Sequence, residues 1–185
     1  MNDSIIRIRY ADALVKYVQE TGNGESVCQQ AERLARVIGD VPDLSRMIAA
    51  KDVVADAKKR ELLKTALGEP MAPELERFID LLLTNGRVGS LRMILLDFAD
   101  RYRRSIGLRK AHLKVAVSPS EDLLRQLAAL VKERTGDEAL IDVEVDPDLL
   151  GGFVFDIDDA LIDKSVARKL ELIRLQFIEK NRRIV

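Results

Sequence analysis

Residues 149–177 read LLGGFVFDIDDALIDKSVARKLELIRLQF, with four aspartates, two adjacent glycines and a long run of helix formers. Phe153, Phe155 and Ile157 alternate with smaller or polar neighbours, the period of a strand with one buried face. Asp158-Asp159 then suits a hairpin turn, because aspartate tolerates the left-handed region better than most residues. Asp163 or Ser165 can cap a final helix that runs from about Ser165 to the end. Gly151-Gly152 lets the backbone turn or approach a neighbour closely. An EF-hand calcium loop needs oxygen ligands at its first, third and fifth positions, glycine at the sixth and glutamate at the twelfth. Counted from Asp156, those last three positions hold Ala160, Leu161 and Ala167. The glycine pair also lacks the spacing of a dinucleotide loop and the Gly-Lys-Ser/Thr end of a P-loop. The aspartates therefore read as turn and cap, not as a metal or phosphate site.

Upstream, the same strand logic holds. Ala111, Leu113, Val115 and Val117 alternate, as do Ile141, Val143 and Val145. Between them, Ser118, Pro119 and Glu121 have the spacing of a capping box with proline at the first helical position. A helix follows with Leu123, Leu127, Leu130 and Val131 inward, ending at Gly136. Residues 108–185 thus form a small βαββα domain.

Residues 1–107 read as six helices. Asp3 or Ser4 can cap the first, which carries Ile6, Tyr10, Ala13, Leu14 and Tyr17 on one face. TGNGES (21–26) breaks it, and a second helix covers about 26–38 and stops near Gly39. Pro42 can open a third, Asp52 can cap a fourth that ends at Gly68, and Pro73 precedes a fifth that Asn85-Gly86 stops. The sixth runs from about Val88 to Ile106 and halts at Gly107. The fold class is mainly α, α+β overall: a six-helix bundle followed by the mixed domain.

Composition narrows the function. Thirty basic against 31 acidic residues leave a net charge of −1 over 185 residues, so no global field favours nucleic acid or anionic lipid. Aromatic content of 4% with no Trp leaves few rings for base stacking. One cysteine, Cys28, and one histidine, His112, cannot build a cysteine cluster or a multi-histidine site. No apolar run approaches the roughly 18 residues of a membrane span. MNDSIIRIRYADAL carries Asp3 and Asp12 and lacks the character of a secretory signal or organelle presequence, which implies a reducing, cytoplasmic, bacterial setting. No cofactor is expected. Arg101, Arg103, Arg104, Arg109 and Lys110 form a basic cluster at the domain junction; it reads as an exposed helix end, with a nucleic-acid-binding helical module as the alternative.

Three segments carry a family resemblance. RYADAL (9–14) resembles the Arg-x-Tyr-Ala-x-Ala opening of the delta subunit of rotary ATP synthase, the oligomycin-sensitivity-conferring protein of mitochondria. LLLTNGR (81–87) is similar to that family's Asn-Gly-Arg stop between the fifth and sixth helices. VDPDLLGGFVFDIDDALIDKSVARKL (145–170) resembles its D-x-x-[LI]-[LI]-G-G-F, hairpin, I-D-x-S-[VI]-x-x-x-L tail. The three occur in order along the whole chain. Departures fall at Asp158-Asp159, where Gly-Asp is frequent, at Lys164, where glycine precedes the capping serine, and at Asp156, where a basic or polar residue is common.

The resemblance implies a non-catalytic stator subunit. Its bundle would bind the amphipathic N-terminal helix of an alpha subunit, and its second domain would hold the b subunits of the peripheral stalk, at the cytoplasmic face of the bacterial inner membrane without insertion. In that role Tyr10, Ala13 and Leu14 on the first helix and Phe78, Leu81, Leu82 and Asn85 on the fifth would line a groove for a third helix. The same apolar stripes also suit plain bundle core. On the last helix Leu170, Ile173 and Phe177 form a candidate stalk surface, and a helix sandwiched within the protein is the competing account. Gly151, Gly152, Asp163 and Ser165 supply the turn and cap.

Overall fold

The computed structural model describes residues 3–50, 54–157 and 160–182. The expected Asp52 cap and Asp158-Asp159 turn lie outside the described residues. The chain divides into two compact units, 1–105 and 106–185.

The first unit is helical throughout, with α1 (Asp3–Thr21), α2 (Gly24–Asp40), α3 (Pro42–Ala49), α4 (Asp56–Leu67), α5 (Pro73–Thr84) and α6 (Leu91–Ser105). Pro42 and Pro73 each open a helix, where the missing N–H would have had no partner. Gly68 ends α4 and Gly107 follows α6, both at positive φ. Asp3 and Ser4 both lie inside α1. The sixth helix begins later than its periodicity predicts, because Val88–Ser90 forms a separate 3-10 turn. Every helix has the spacing that buries one stripe, and the stripes meet in a core that includes Val18, Ala31, Leu34, Leu63, Leu75, Ile94 and Phe98.

Two glycines at the ends of α2 have a further role in this packing. Gly24 is the first residue of α2 and Gly39 the last but one, so the helix starts within the expected break and stops near Gly39 as expected. A Cβ on Gly24 would overlap the Tyr102 ring, and one on Gly39 would come within 2.8 Å of Arg92 Nε. Both are sites where an α6 side chain lies across the α2 backbone, so the absent side chain serves contact between helices.

The second unit runs β1 (Leu108–Val115), α7 (Glu121–Thr135), β2 (Glu138–Val145), β3 (Phe153–Ile157), β4 (Ala160–Asp163) and α8 (Val166–Arg182). The α+β expectation holds, with one strand more than βαββα: the sequence pattern leaves 160–163 in the turn and cap, whereas Ala160–Asp163 pairs antiparallel with β3. The sheet order is β2-β1-β3-β4. β1 and β2 are parallel through the α7 crossover, and β1 and β3 are antiparallel with Leu113 opposite Phe155. Ala111, Leu113, Val115 and Phe155 face Leu127 and Val131 of α7 in a small core.

Three details differ from the sequence pattern. Ser120, not Ser118, caps α7: its hydroxyl accepts the Leu123 N–H at 3.2 Å, which sets Glu121 and Asp122 in the first turn where negative charge suits the unpaired N–H groups. Val117 lies beyond β1 and is exposed. Val143 and Val145 alternate as expected yet stay largely exposed, because β2 is an edge strand. On the face away from α7, His112 sits 3.6 Å from Asp142 and Lys114 sits 3.1 Å from Glu144.

Candidate partner-binding surfaces

The expected groove residues separate into two populations. Leu14 is 1% exposed, Phe78 5% and Leu82 0%, all inside the bundle core. Leu81 is 47% exposed, and Ala13 and Asn85 also face solvent. Tyr10 is half-buried and meets Phe78 edge to face, ring centroids 6.3 Å apart. So Leu14 and Leu82 are core in this chain, and Phe78 is a floor whose ring supports Tyr10. The face-defining period is right; it cannot say which residue of a wide stripe lies deepest.

Between α1 and α5 lies a shallow depression of about 360 Å³ lined by Ile6, Arg9, Tyr10, Ala13, Leu81 and Arg87. Tyr10, Ala13 and Leu81 are thus brought together as expected, and Asn85 does not line it. Ile6 belongs to the apolar face of the first helix and could have been chosen from spacing. Arg9 and Arg87 were missed as lining residues, although both fall inside the RYADAL and LLLTNGR segments. Arg87 reaches the depression because Asn85-Gly86 turns the chain: the Arg87 N–H donates to the Leu82 carbonyl at 2.8 Å, with Gly86 at φ 62. Further along the seam, Arg77 Nη1 donates to the Tyr17 hydroxyl at 3.0 Å, which holds the guanidinium pKa above its ordinary value.

In the second unit, the start of α8 is anchored by hydrogen bonds. The Ser165 N–H donates to Asp163 Oδ1 at 2.9 Å, and the Arg168 N–H donates to Ser165 Oγ at 3.2 Å. Asp163 therefore fixes the turn and Ser165 caps the helix. The Ser165 hydrogen bonds hold the Asp163 carboxyl below its ordinary pKa. The Lys164 N–H donates to the Phe153 carbonyl at 2.8 Å and the Val166 N–H to the Gly151 carbonyl at 2.9 Å. Gly152 has φ +74, and a Cβ there would overlap the Lys164 carbonyl oxygen. The paired glycines permit this close approach. Beyond the joint, Leu170, Ile173 and Phe177 are exposed, Phe177 at 65%, and so are Leu172, Leu175 and Ile178.

The junction arginines are already engaged. Arg101 donates to Asp12 at 2.6 Å, Arg103 pairs with Glu32, Arg104 lies 3.1 Å from Asp100 and Arg109 donates to Asp137 at 2.7 Å. A phosphate backbone would have to displace these carboxylates, which disfavours the nucleic-acid alternative. Among the described residues no three His, Cys, Asp or Glu side chains cluster as a metal site. Among them, too, no helix is long and apolar enough to cross a membrane.

A family model described as ATP synthase delta (OSCP) subunit matches residues 6–177. The chain belongs to that family. An ATP synthase subunit delta from Bacteroides thetaiotaomicron is 36% identical, the alignment covering 100% of both chains. One from Phocaeicola vulgatus is 32% identical, over 98% of each. A chain of the Toxoplasma gondii mitochondrial ATP synthase hexamer, determined by cryo-electron microscopy, superposes with a TM-score of 0.66 over 93% of this chain and 97% of that one. At 18% identity that likeness is one of fold. Membership of the delta (OSCP) family makes the chain a structural, non-catalytic member of the ATP synthase complex.

Proposed function

We propose that the chain is a stator joint of a proton-translocating ATP synthase. Its bundle grips the N-terminal helix of an alpha subunit in the α1–α5 depression, and its second unit holds the b subunits of the peripheral stalk through Leu170, Ile173 and Phe177. The catalytic head then resists rotor torque, and the joint lies peripherally at the cytoplasmic face of the bacterial inner membrane. The observation that carries this is the depression itself, where Tyr10, Ala13 and Leu81 meet on two adjacent helices with the small Ala13 leaving room for a third. The exposed apolar side chains on α8, more than a solvated helix needs, support the second contact. Calorimetric titration of the full chain with a synthetic peptide of the alpha N-terminal segment tests the first. Binding is expected in the nanomolar range, about 12 kcal/mol, and Leu81→Asp abolishes it. Absence of binding, or binding indifferent to Leu81→Asp, removes the groove assignment.

A further inference from the structure

Two rows of apolar residues cross one face of the sheet in the second unit. Leu113, Phe155 and Ile162 stand side by side on β1, β3 and β4, and Ala111, Ile157 and Ala160 form the row beside them. α7 covers the β1 end of both rows, where Ala111, Leu113 and Phe155 are buried with Leu127 and Val131. The crossover from β1 to β2 carries α7 toward β2, so the β3–β4 half of the same face stays open. A cavity of about 300 Å³ results, walled by Leu130 and Val131 of α7 on one side and by Phe155, Ile157 and Ile162 on the other. Ala160, also in the lining, contributes only a methyl and leaves room there.

Polar groups at this cavity are few, and all but one are committed. The Thr135 hydroxyl donates to the Val131 carbonyl at 2.9 Å and accepts the Asp137 N–H at 3.2 Å. Nearby cations have carboxylates: Arg125 lies 3.6 Å from Asp122, and Lys132 lies 3.7 Å from Glu138. Asp137, three residues past Arg134, is held by Arg109 at 2.7 Å. Glu133 adjoins Arg134 in sequence and so lies about 100° round the helix from it. Arg134 lines the cavity, is exposed, and has no hydrogen-bond or ion-pair partner among the described residues.

We infer that this cavity binds a medium-chain monocarboxylate, its apolar chain between α7 and the β3–β4 hairpin and its carboxylate at Arg134. The volume lies at the lower end of small-ligand sites, and the lining has their pattern of apolar walls with one charged group that fixes orientation. A peptide segment fits less well, because its buried N–H and C=O groups would find no partners on these walls. An unbranched chain with a single terminal anion leaves nothing unsatisfied. The site is independent of the stator contacts proposed above.

Titration of the full chain with decanoate, below its micelle concentration, tests this by methyl NMR, with decanol and decylammonium as neutral and cationic controls. Saturable shifts of the Leu130, Ile157 and Ile162 methyls are expected. Decanol on the native chain, and decanoate on Arg134→Gln, are each expected to bind about threefold more weakly, the scale of one exposed ion pair. Ala160→Phe, which fills the cavity, is expected to remove the saturable shifts; should that variant fail to fold, the native map and Arg134→Gln decide. Shifts that stay linear with concentration, or that fall on the exposed apolar residues of α8 instead, overturn the site. Decylammonium binding as well as decanoate, or better, as Asp158 and Asp159 beside Ile157 and Ala160 in sequence would favour, overturns the anionic head and the proposal with it.

Discussion

Gly151 and Val166 are joined through the backbone: the carbonyl of the first accepts the N–H of the second at 2.9 Å, tying the turn before β3 to the first residue of α8. The contact exists because Gly152, at φ +74, brings its α-carbon against the Lys164 carbonyl. Gly152→Ala combines an unfavourable left-handed backbone with a steric overlap and should destabilise the second unit by roughly 1–3 kcal/mol. Urea unfolding followed by amide signals of β3 and β4 reads this. Unchanged second-unit stability would show that the close approach relaxes freely.

Core and interface roles on α5 separate by paired substitutions. Phe78→Ala removes a buried ring and should lower bundle stability by about 3–5 kcal/mol. Leu81→Ala, one turn away and half exposed, should change stability by less than about 0.5 kcal/mol while weakening the alpha peptide. A chemical denaturation curve and a binding isotherm for each variant check the division. Equal stability losses would show that Leu81 also belongs to the core.

On α8, Leu170→Ser and Phe177→Ser remove exposed apolar groups and should leave the thermal midpoint within about 1 °C, since exposed substitutions act weakly on stability. Capture of a peptide taken from the C-terminal end of the stalk's b chains should fall when the full chain carries these changes. Loss of folding without a change in capture would place these side chains in an internal contact.

Asp163 carries a pH dependence of known sign. Its folded pKa is depressed by hydrogen bonds from Ser165. Its contribution is therefore complete above the unfolded carboxyl value of about 3.9 and disappears as pH falls through the lower folded value. An NMR titration should place the Asp163 midpoint below the unfolded carboxyl value of about 3.9. A midpoint at or above it contradicts the cap geometry.

The lone thiol of Cys28 is pushed up from 9.0 to about 11, chiefly by burial, with Arg103 opposing. At pH 8 the thiolate fraction falls roughly hundredfold below that of a free cysteine. Labelling by a disulfide reagent should be slow in the native chain and fast in denaturant. Because the folded pKa is raised, stability from this group is present below the unfolded value and is lost as pH rises from about 9 toward 11. Rapid native labelling at pH 8 would contradict its burial.

Much of this architecture was legible in the residues because local chemistry and tertiary packing agree there. Pro42, Pro73, Gly68 and Gly107 punctuate helices as isolated dipeptide rules require. Disagreement arose where a residue's role lies in another element. Gly24 and Gly39 do mark the ends of α2, but that Tyr102 and Arg92, more than 50 residues away, lie against them could not be read locally. β4 is four residues long and too short to show a period, so its pairing with β3 alone identifies it. The same limit applies to the groove. Spacing placed Tyr10, Leu14, Leu81 and Leu82 on helix faces, but depth depends on how α1, α5 and their neighbours are rotated, which no single helix encodes. Arg9 and Arg87 escaped notice because charged residues ordinarily face solvent, and their place at the depression depends on how α1 and the end of α5 meet.

The silent thiol has a practical corollary for anyone attaching probes to this protein. With Cys28 shielded, a cysteine introduced at an exposed position of α1 or α8 would be the one site open to a fluorophore or a spin label, with no background to remove. A label at that position could then report on local motion of this subunit within the ATP synthase complex, using the native sequence at every other position.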